Sequence, residues 1–351
     1  MKAFVTGSTG LLGSNLVRLL LDQGYEVKAL ARSISKAEKM LGAHDRLRVI
    51  VGDMEQIDGF AGELAGCDVL FHTAAYFREY YLPGEHWETL QRINVDSTLR
   101  LLDEAQRHGL KKAIYVSSST VIGQRADGVA SDETTGPDAF TQQNLYAKSK
   151  VLAEQRIAEW LKTHSLPVVL ILPSAMIGPG DAAPTNLGQS IIATLNRQMP
   201  AIPPGSAEFV DVRDTAQAMI NAVERGKSGE RYLLNESHHP IAEMMEIACK
   251  AAGVPLPRLR ATYPMTLATA WFMERMAKIT GGTPQVTMET VRITNRKRVL
   301  SGAKAVRELG ITYRPFADSL RDEVAWFIQN GYVKSPAKPS AALAQQHRGT
   351  V

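Results

Sequence analysis

Short apolar runs alternate with amphipathic stretches through the first half of the chain. The runs are KAFVT (2–6), EVKALA (26–31), RVIVG (48–52), DVLFHTA (68–74), KAIYVSS (112–118) and VVLILP (168–173). Most are nearly continuous in apolar residues, the pattern of strands buried on both faces. Between them lie stretches of helical period, such as LLGSNLVRLLLDQG (11–24) and the long HWETLQRINVDSTLRLLDEAQRHG (86–109), closed by Gly24 and Gly109. Strand, helix and strand in repetition predict right-handed crossovers and a parallel, doubly wound α/β sheet.

After Pro173 the alternation stops. GPGDAAP (178–184) and PAIPPGS (200–206) punctuate a helical pattern, and 240–280 reads as mostly helical, while EFVDVRDTAQAMINAVERG (208–226) and RYLLN (231–235) return to the sheet. The expected organisation is a first domain of 1–175 plus 207–235 and a smaller, mostly helical second domain of 176–206 plus 236–333. The tail 334–351, KSPAKPSAALAQQHRGTV, is expected to be disordered.

Composition narrows the classes. Hydrophobic content of 44% and charged content of 22% are those of a soluble globular protein. The net charge is +4, of which Lys334, Lys338 and Arg348 in the tail supply three, so the basic balance gives no support to a nucleic-acid partner. Cys67 and Cys249 stand far apart without a CxxC or Cys/His cluster, which argues against disulfides or a metal site. No apolar run approaches the roughly 20 residues that span a bilayer, and the N-terminus lacks a signal-peptide layout. A cytoplasmic protein with no membrane partner is the expectation.

The chemistry begins at TGSTGLLG, which places Gly7, Gly10 and Gly13 between the first strand and first helix. Glycines there allow a tight turn, close approach of a pyrophosphate and close helix–sheet packing, and the helix N-terminus supplies N–H groups and positive dipole. The end of the second strand reports on the ribose. An acid there accepts from a 2′-hydroxyl, yet Arg32 occupies the position and no acid appears before Glu38. Guanidinium grips a 2′-phosphate that a carboxylate would repel, with Lys36 or Lys39 adding a second charge, so NADP(H) is the expected cofactor.

YAKSK holds Tyr146 and Lys150 four apart on one helical face. With ten Tyr and 16 Lys in 351 residues, chance alone gives about half a Tyr-x-x-x-Lys match. Context decides. The set TGSTGLLG, FHTAAY (71–76), RINV (92–95), YVSSSTVIG (115–123) and YAKSK resembles the extended short-chain dehydrogenase/reductase family, in its NAD(P)-dependent epimerase/dehydratase group. The resemblance runs from residue 1 to about 333 and includes the late AKAVRELGITYRP (303–315). It implies a Rossmann sheet and an enzyme that moves a hydride between the cofactor and a carbonyl or alcohol carbon. Tyr146 would be the acid/base, Lys150 would hold the nicotinamide ribose and tune Tyr146, and Ser118 would orient the carbonyl, with Ser119 turned toward substrate where the strand becomes loop. A cofactor-binding set of Gly7, Thr9, Gly10, Leu11, Leu12, Gly13, Arg32, Lys36, Lys39, Asp53, Met54, Thr73, Ala74, Ala75, Asn94, Ser117, Tyr146, Lys150, Pro173 and Ser174 follows from it. A homodimer through 86–109 and 146–164 is a further implication.

Departures from the family pattern bear on substrate. Leu172 precedes Pro173 where nucleotide-sugar members carry Arg, and Ala207 takes the place of an arginine that binds a sugar diphosphate. The chain is closer in pattern to the dihydroflavonol-reductase-like and hopanoid-associated sugar-epimerase-like branch. Tyr76, Phe77, Tyr80, Tyr81, Ser174, Met176 and Ile177 are the expected pocket wall, suited to a small hydrophobic ketone or aldehyde. A sugar epimerase or dehydratase with bound NAD, and an NADP-sensing module without chemistry, are the rival readings. His72 reads as strand packing, and the basic run RITNRKRV (292–299) as a solvated face.

Overall fold

A computed structural model describes residues 1–77, 85–280, 284, 286–296 and 298–334. Tyr80, Tyr81 and residues 335–351 of the tail lie outside the described residues. The chain divides into two units. One comprises Met1–Met176, Glu208–Ser237 and Lys297–Arg314; the other comprises Ile177–Ala207, His238–Arg296 and Pro315–Val351.

The strands β1 (Lys2–Thr6), β2 (Glu26–Ala31), β3 (Leu47–Val51), β4 (Val69–His72), β5 (Lys112–Val116) and β6 (Val168–Pro173) belong to the first unit, with a last strand at Arg231–Leu234. Helices α1 (Leu11–Asp22), α2 (Ile34–Leu41), α3 (Trp87–Gln91), α4 (Ser97–Arg107), α5 (Ala139–Gln143) and α6 (Leu145–Trp160) connect them. Further along come α7 (Asn186–Leu195), α8 (Val212–Arg225), α9 (Ile241–Ala252), α10 (Tyr263–Thr280), α11 (Met288–Thr294), α12 (Ala303–Leu309) and α13 (Phe316–Gln329).

The seven strands form one parallel sheet in the order Arg231–Leu234, β6, β5, β4, β1, β2, β3. Each strand feeds two cores. In β1, Ala3 and Val5 join Leu16, Val17 and Leu20 of α1 and Met219 of α8, while Phe4 joins Phe60, Leu70 and Leu101 on the opposite face. A strand wet on neither side has no polar positions to alternate with, which is why its sequence reads as an apolar run.

Two expectations need correction. The pattern assigned all of 236–333 to the second domain, but Lys297–Arg314 clusters with the first unit. The cause is burial of Ala305, Leu309 and Ile311 in the core that also holds Met219, Ala222 and Leu234. The helix expected over 86–109 is interrupted as well: α3 passes into a wide π-turn at Arg92–Asp96 before α4 begins. That turn holds Asn94, whose side chain accepts from Tyr76 N at 2.8 Å and donates to Ser149 Oγ at 3.1 Å. Such bulges re-aim a side chain that a regular helix would point elsewhere.

In the second unit α9 packs on α7 and α13, and α10 packs on α11. Among the described residues no helix is long and apolar enough to cross a membrane.

Candidate active site

Parallel strands end together, so the loops after β1 to β6 share one edge of the sheet. Strand order reverses between β1 and β4, where the chain crosses from one half of the sheet to the other. Connections diverge at such a point and leave a crevice at the carboxyl ends of the strands. Gly7 follows β1 there with φ +67°, and a side chain on it would meet Thr73 Oγ1 at 2.6 Å and Ala74 N at 2.7 Å. Thr73 Oγ1 in turn donates to Thr6 O at 2.7 Å, tying the two loops across the crevice. At Gly13 an added Cβ would lie 2.1 Å from Gly7 O, so only glycine allows α1 to start this close to the strand. No side chain caps α1, whose N-cap is Gly10, and its first N–H groups are left for a ligand. Leu12 is buried in the core and Leu11 packs against it, so these two offer backbone rather than side chain. Thr9 is half-buried in the same turn.

Along the edge, Arg32 stands exposed after β2 and Ser33 caps α2 by accepting from Lys36 N at 3.3 Å. Lys36 and Lys39 are exposed on α2 itself. Asp53 is half-buried after β3 and accepts from Glu55 N at 3.0 Å, with Met54 buried behind it. Ala75 is exposed after β4. Beyond β6, Pro173 is buried and Ser174 is 6% exposed with a hydroxyl that meets no partner among the described residues. Uncapped N–H groups, a turn that excludes Cβ atoms and this orphaned hydroxyl fit a dinucleotide.

The expected Ser118, Tyr146 and Lys150 come together after β5. Asn144 caps α6, accepting from Ala147 N at 2.6 Å, which sets Tyr146 in the first turn and Lys150 one turn on. Tyr146 is 9% exposed, stacked obliquely on Phe77 with ring centroids 4.7 Å apart. Burial raises its pKa, and a side-chain hydrogen bond with Ser118 works in the other direction. Ser118 Oγ also accepts from Thr120 N at 3.2 Å and Thr120 Oγ1 at 2.9 Å. Lys150 is 1% exposed, and its ammonium donates to Val116 O at 2.9 Å and Tyr115 Oη at 3.2 Å. Burial lowers its pKa to about 7, against the pull of Glu154. The ammonium is thus turned to the end of β5.

The neighbouring serines differ. Ser117 Oγ donates to Glu154 Oε1, two turns along α6 from Tyr146, and Ser119 is buried at the start of a 3₁₀ turn. Tyr76 Oη pairs with His86 Nδ1 at 2.9 Å, Met176 is half-buried against the sheet core, and Ile177 is buried in the second unit.

Two supporting residues, Glu154 and Arg298, escaped the sequence, while a third, His72, was legible there. Glu154 pairs with Arg231 Nε at 3.0 Å and sits one helical turn past Lys150; its i+4 spacing was the available signal. Burial raises the Glu154 pKa, opposed by Arg231, Ser117 and Lys150. His72 accepts or donates at both ring nitrogens, to Thr6 Oγ1 at 2.7 Å and Thr98 Oγ1 at 3.0 Å, and burial drives its pKa to about 3. It is neutral packing between β1 and α4, as read. Arg298 overturns the solvated reading of its basic run. Only 6% exposed, it donates to Ser119 O and Ile122 O, both at 2.8 Å, and pairs with Glu208 at 3.3 Å. Nothing in RITNRKRV marks which arginine turns inward.

Comparison with known proteins agrees with this architecture. Residues 3–234 match the model of the NAD dependent epimerase/dehydratase family. A protein of Synechocystis sp., provisionally named dihydroflavonol 4-reductase, is 35% identical over 336 residues, 95% of this chain and 96% of that one. Sterol demethylase protein B of Methylococcus capsulatus is 30% identical over 337 residues, covering 95% and 100%. The crystal structure of gox2253 superposes with a TM-score of 0.78 at 34% identity, covering 95% of this chain and 99% of that one. The chain belongs to the NAD-dependent epimerase/dehydratase family, within the extended short-chain dehydrogenases/reductases.

Proposed function

We propose that the chain is an NADPH-dependent reductase of a ketone or aldehyde on a small hydrophobic molecule, using Ser118, Tyr146 and Lys150. The observation that carries this reading is the buried Tyr146 phenol beside Ser118, with Lys150 one turn further along the same helix and also buried. NADPH, when bound, supplies the hydride. Gly7, Gly10 and Gly13 would receive its pyrophosphate, Arg32 with Lys36 or Lys39 the 2′-phosphate, Asp53 the adenine end, and Lys150 the nicotinamide ribose.

Tyr146 would donate its proton to the carbonyl oxygen while Ser118 orients that oxygen. The phenol carries the proton that the carbonyl oxygen takes up on reduction, and the Ser118 hydroxyl counters the rise that burial imposes on its pKa. Phe77 on Tyr146 and the nearby Tyr76 favour an apolar substrate. The names of the relatives, a dihydroflavonol 4-reductase and a sterol demethylase protein, support substrates of that class. The second reading, a sugar epimerase or dehydratase, draws on the family name, but Leu172 and Ala207 stand where diphosphate-binding arginines are expected.

NADPH consumption should be followed with aromatic and aliphatic aldehydes, flavonoid-like ketones and sterol ketones, with nucleotide sugars as the opposing set. Turnover of a carbonyl compound with freely exchanging cofactor is expected. Conversion of a nucleotide sugar alone, on an enzyme that purifies with NAD attached, would reverse the assignment.

A further inference from the structure

Helix α10 presents several of its largest apolar side chains outward. The residues it buries fully are small, Thr266, Ala270 and Ala277, with Leu267 and Met273 half-buried beside them. Its outward residues are large and apolar, with Met265 at 60%, Phe272 at 60%, Met276 at 40% and Ile279 at 78% exposure. Steps of seven, four and three residues place these four within one narrow stripe of a helix. Trp271 flanks the stripe, half-exposed, with the Arg275 guanidinium 5.4 Å from its ring centre. Leu259 adds a further exposed apolar side chain just before the helix, at 65%. Burial of the large residues and exposure of the small ones is what folding alone would select, so the stripe calls for an occupant.

Charge points to which one. Residues 255–297 carry seven Lys/Arg against two Asp/Glu, a net +5 in a chain whose total is +4, so everything else sums to −1. Arg258, Arg260 and Arg275 are exposed before and on α10, and Arg292 is exposed on α11, which packs against it. A second copy of this face would bring like charges together, whereas an anionic surface would meet the charge and the apolar stripe at once.

We propose that α10 docks the protein on an anionic lipid surface, lying in the interface with Met265, Phe272, Met276 and Ile279 inserted and the arginines at the headgroups. This departs from the expectation that no membrane partner exists; what the sequence excluded was a span, not a surface contact. Anionic headgroups draw the arginines down, and the stripe then leaves water, so neither part suffices alone.

The test is flotation of the full chain with vesicles of phosphatidylglycerol and phosphatidylcholine, against phosphatidylcholine alone. Binding to the anionic vesicles should be at least about tenfold tighter, and should weaken as salt is raised. The double variant F272E/I279E, changed only at exposed positions, should lose about tenfold or more in vesicle affinity with an unchanged melting temperature. Absent binding, or binding that the double variant retains, would overturn the proposal. So would a dimer of the wild-type chain that F272E/I279E converts to monomer while vesicles go unbound, since the occupant would then be a second copy.

Discussion

Lys150 and Arg32 stand at two ends of the same sheet edge in opposite surroundings. Lys150 is 1% exposed, its ammonium on Val116 O and Tyr115 Oη, and burial brings its pKa to about 7. Arg32 stands in solvent after β2, beside the start of α2. Inside, the neighbours of a charge decide its protonation, so changing any member of the cluster changes chemistry. Outside, water screens the charge and the side chain acts by what it can reach, so changing it alters which ligand is chosen. The two ends should therefore fail in different measurements.

The sharpest separation is Tyr146→Phe. It should lower kcat by about 10²–10⁴, the usual worth of a positioned acid, while NADPH affinity stays within about twofold. Full activity would remove Tyr146 from the chemistry, and lost affinity would mean that the two ends are not separable. At the exposed end, Arg32→Ala should weaken NADPH by about 1.5–3 kcal/mol, roughly 10–150-fold, through loss of a charge-assisted contact, and leave NADH untouched. Equal effects on both cofactors would make Arg32 a structural residue.

A finer probe is Glu154→Gln. Burial depresses Lys150 from its ordinary value of 10.5 to about 7, and Glu154 pulls it up. Reduction should thus fall as pH rises past about 7 and Lys150 loses its proton. Removing the Glu154 charge should shift that limb to lower pH, with Glu154→Asp restoring part of it. A pH profile that does not move would reduce Glu154 to a partner of Arg231.

Much of this was legible because it is local. Apolar runs reported strands buried on both faces, as Phe4 and Val5 in opposite cores demonstrate. The glycine turn is legible for the same reason, since Gly7 and Gly13 answer to atoms within a few residues or just across the crevice. What the sequence hid depends on distant partners. Arg298 and Arg296 look alike in RITNRKRV, and only the carbonyls of Ser119 and Ile122 distinguish the first. The segment around Asn94, a residue already in the expected site, read as unbroken helix because the π-turn answers to Tyr76 and Ser149, neither of which is near in sequence. Likewise α12 carried no label for the unit whose core it completes.

The reach of Arg298 bears on how the protein is made. Its guanidinium closes on the turn that follows Ser118, yet it comes 179 residues after Ser119, one of the two carbonyls it binds. Domains are completed as the chain emerges, amino end first. A ribosome that has finished all six strands from β1 to β6 has therefore still not supplied the clamp on that turn. The turn beside Tyr146 stays unclamped until Arg298 has emerged and paired with Glu208, and the same late segment brings Ala305, Leu309 and Ile311 to the core of the sheet.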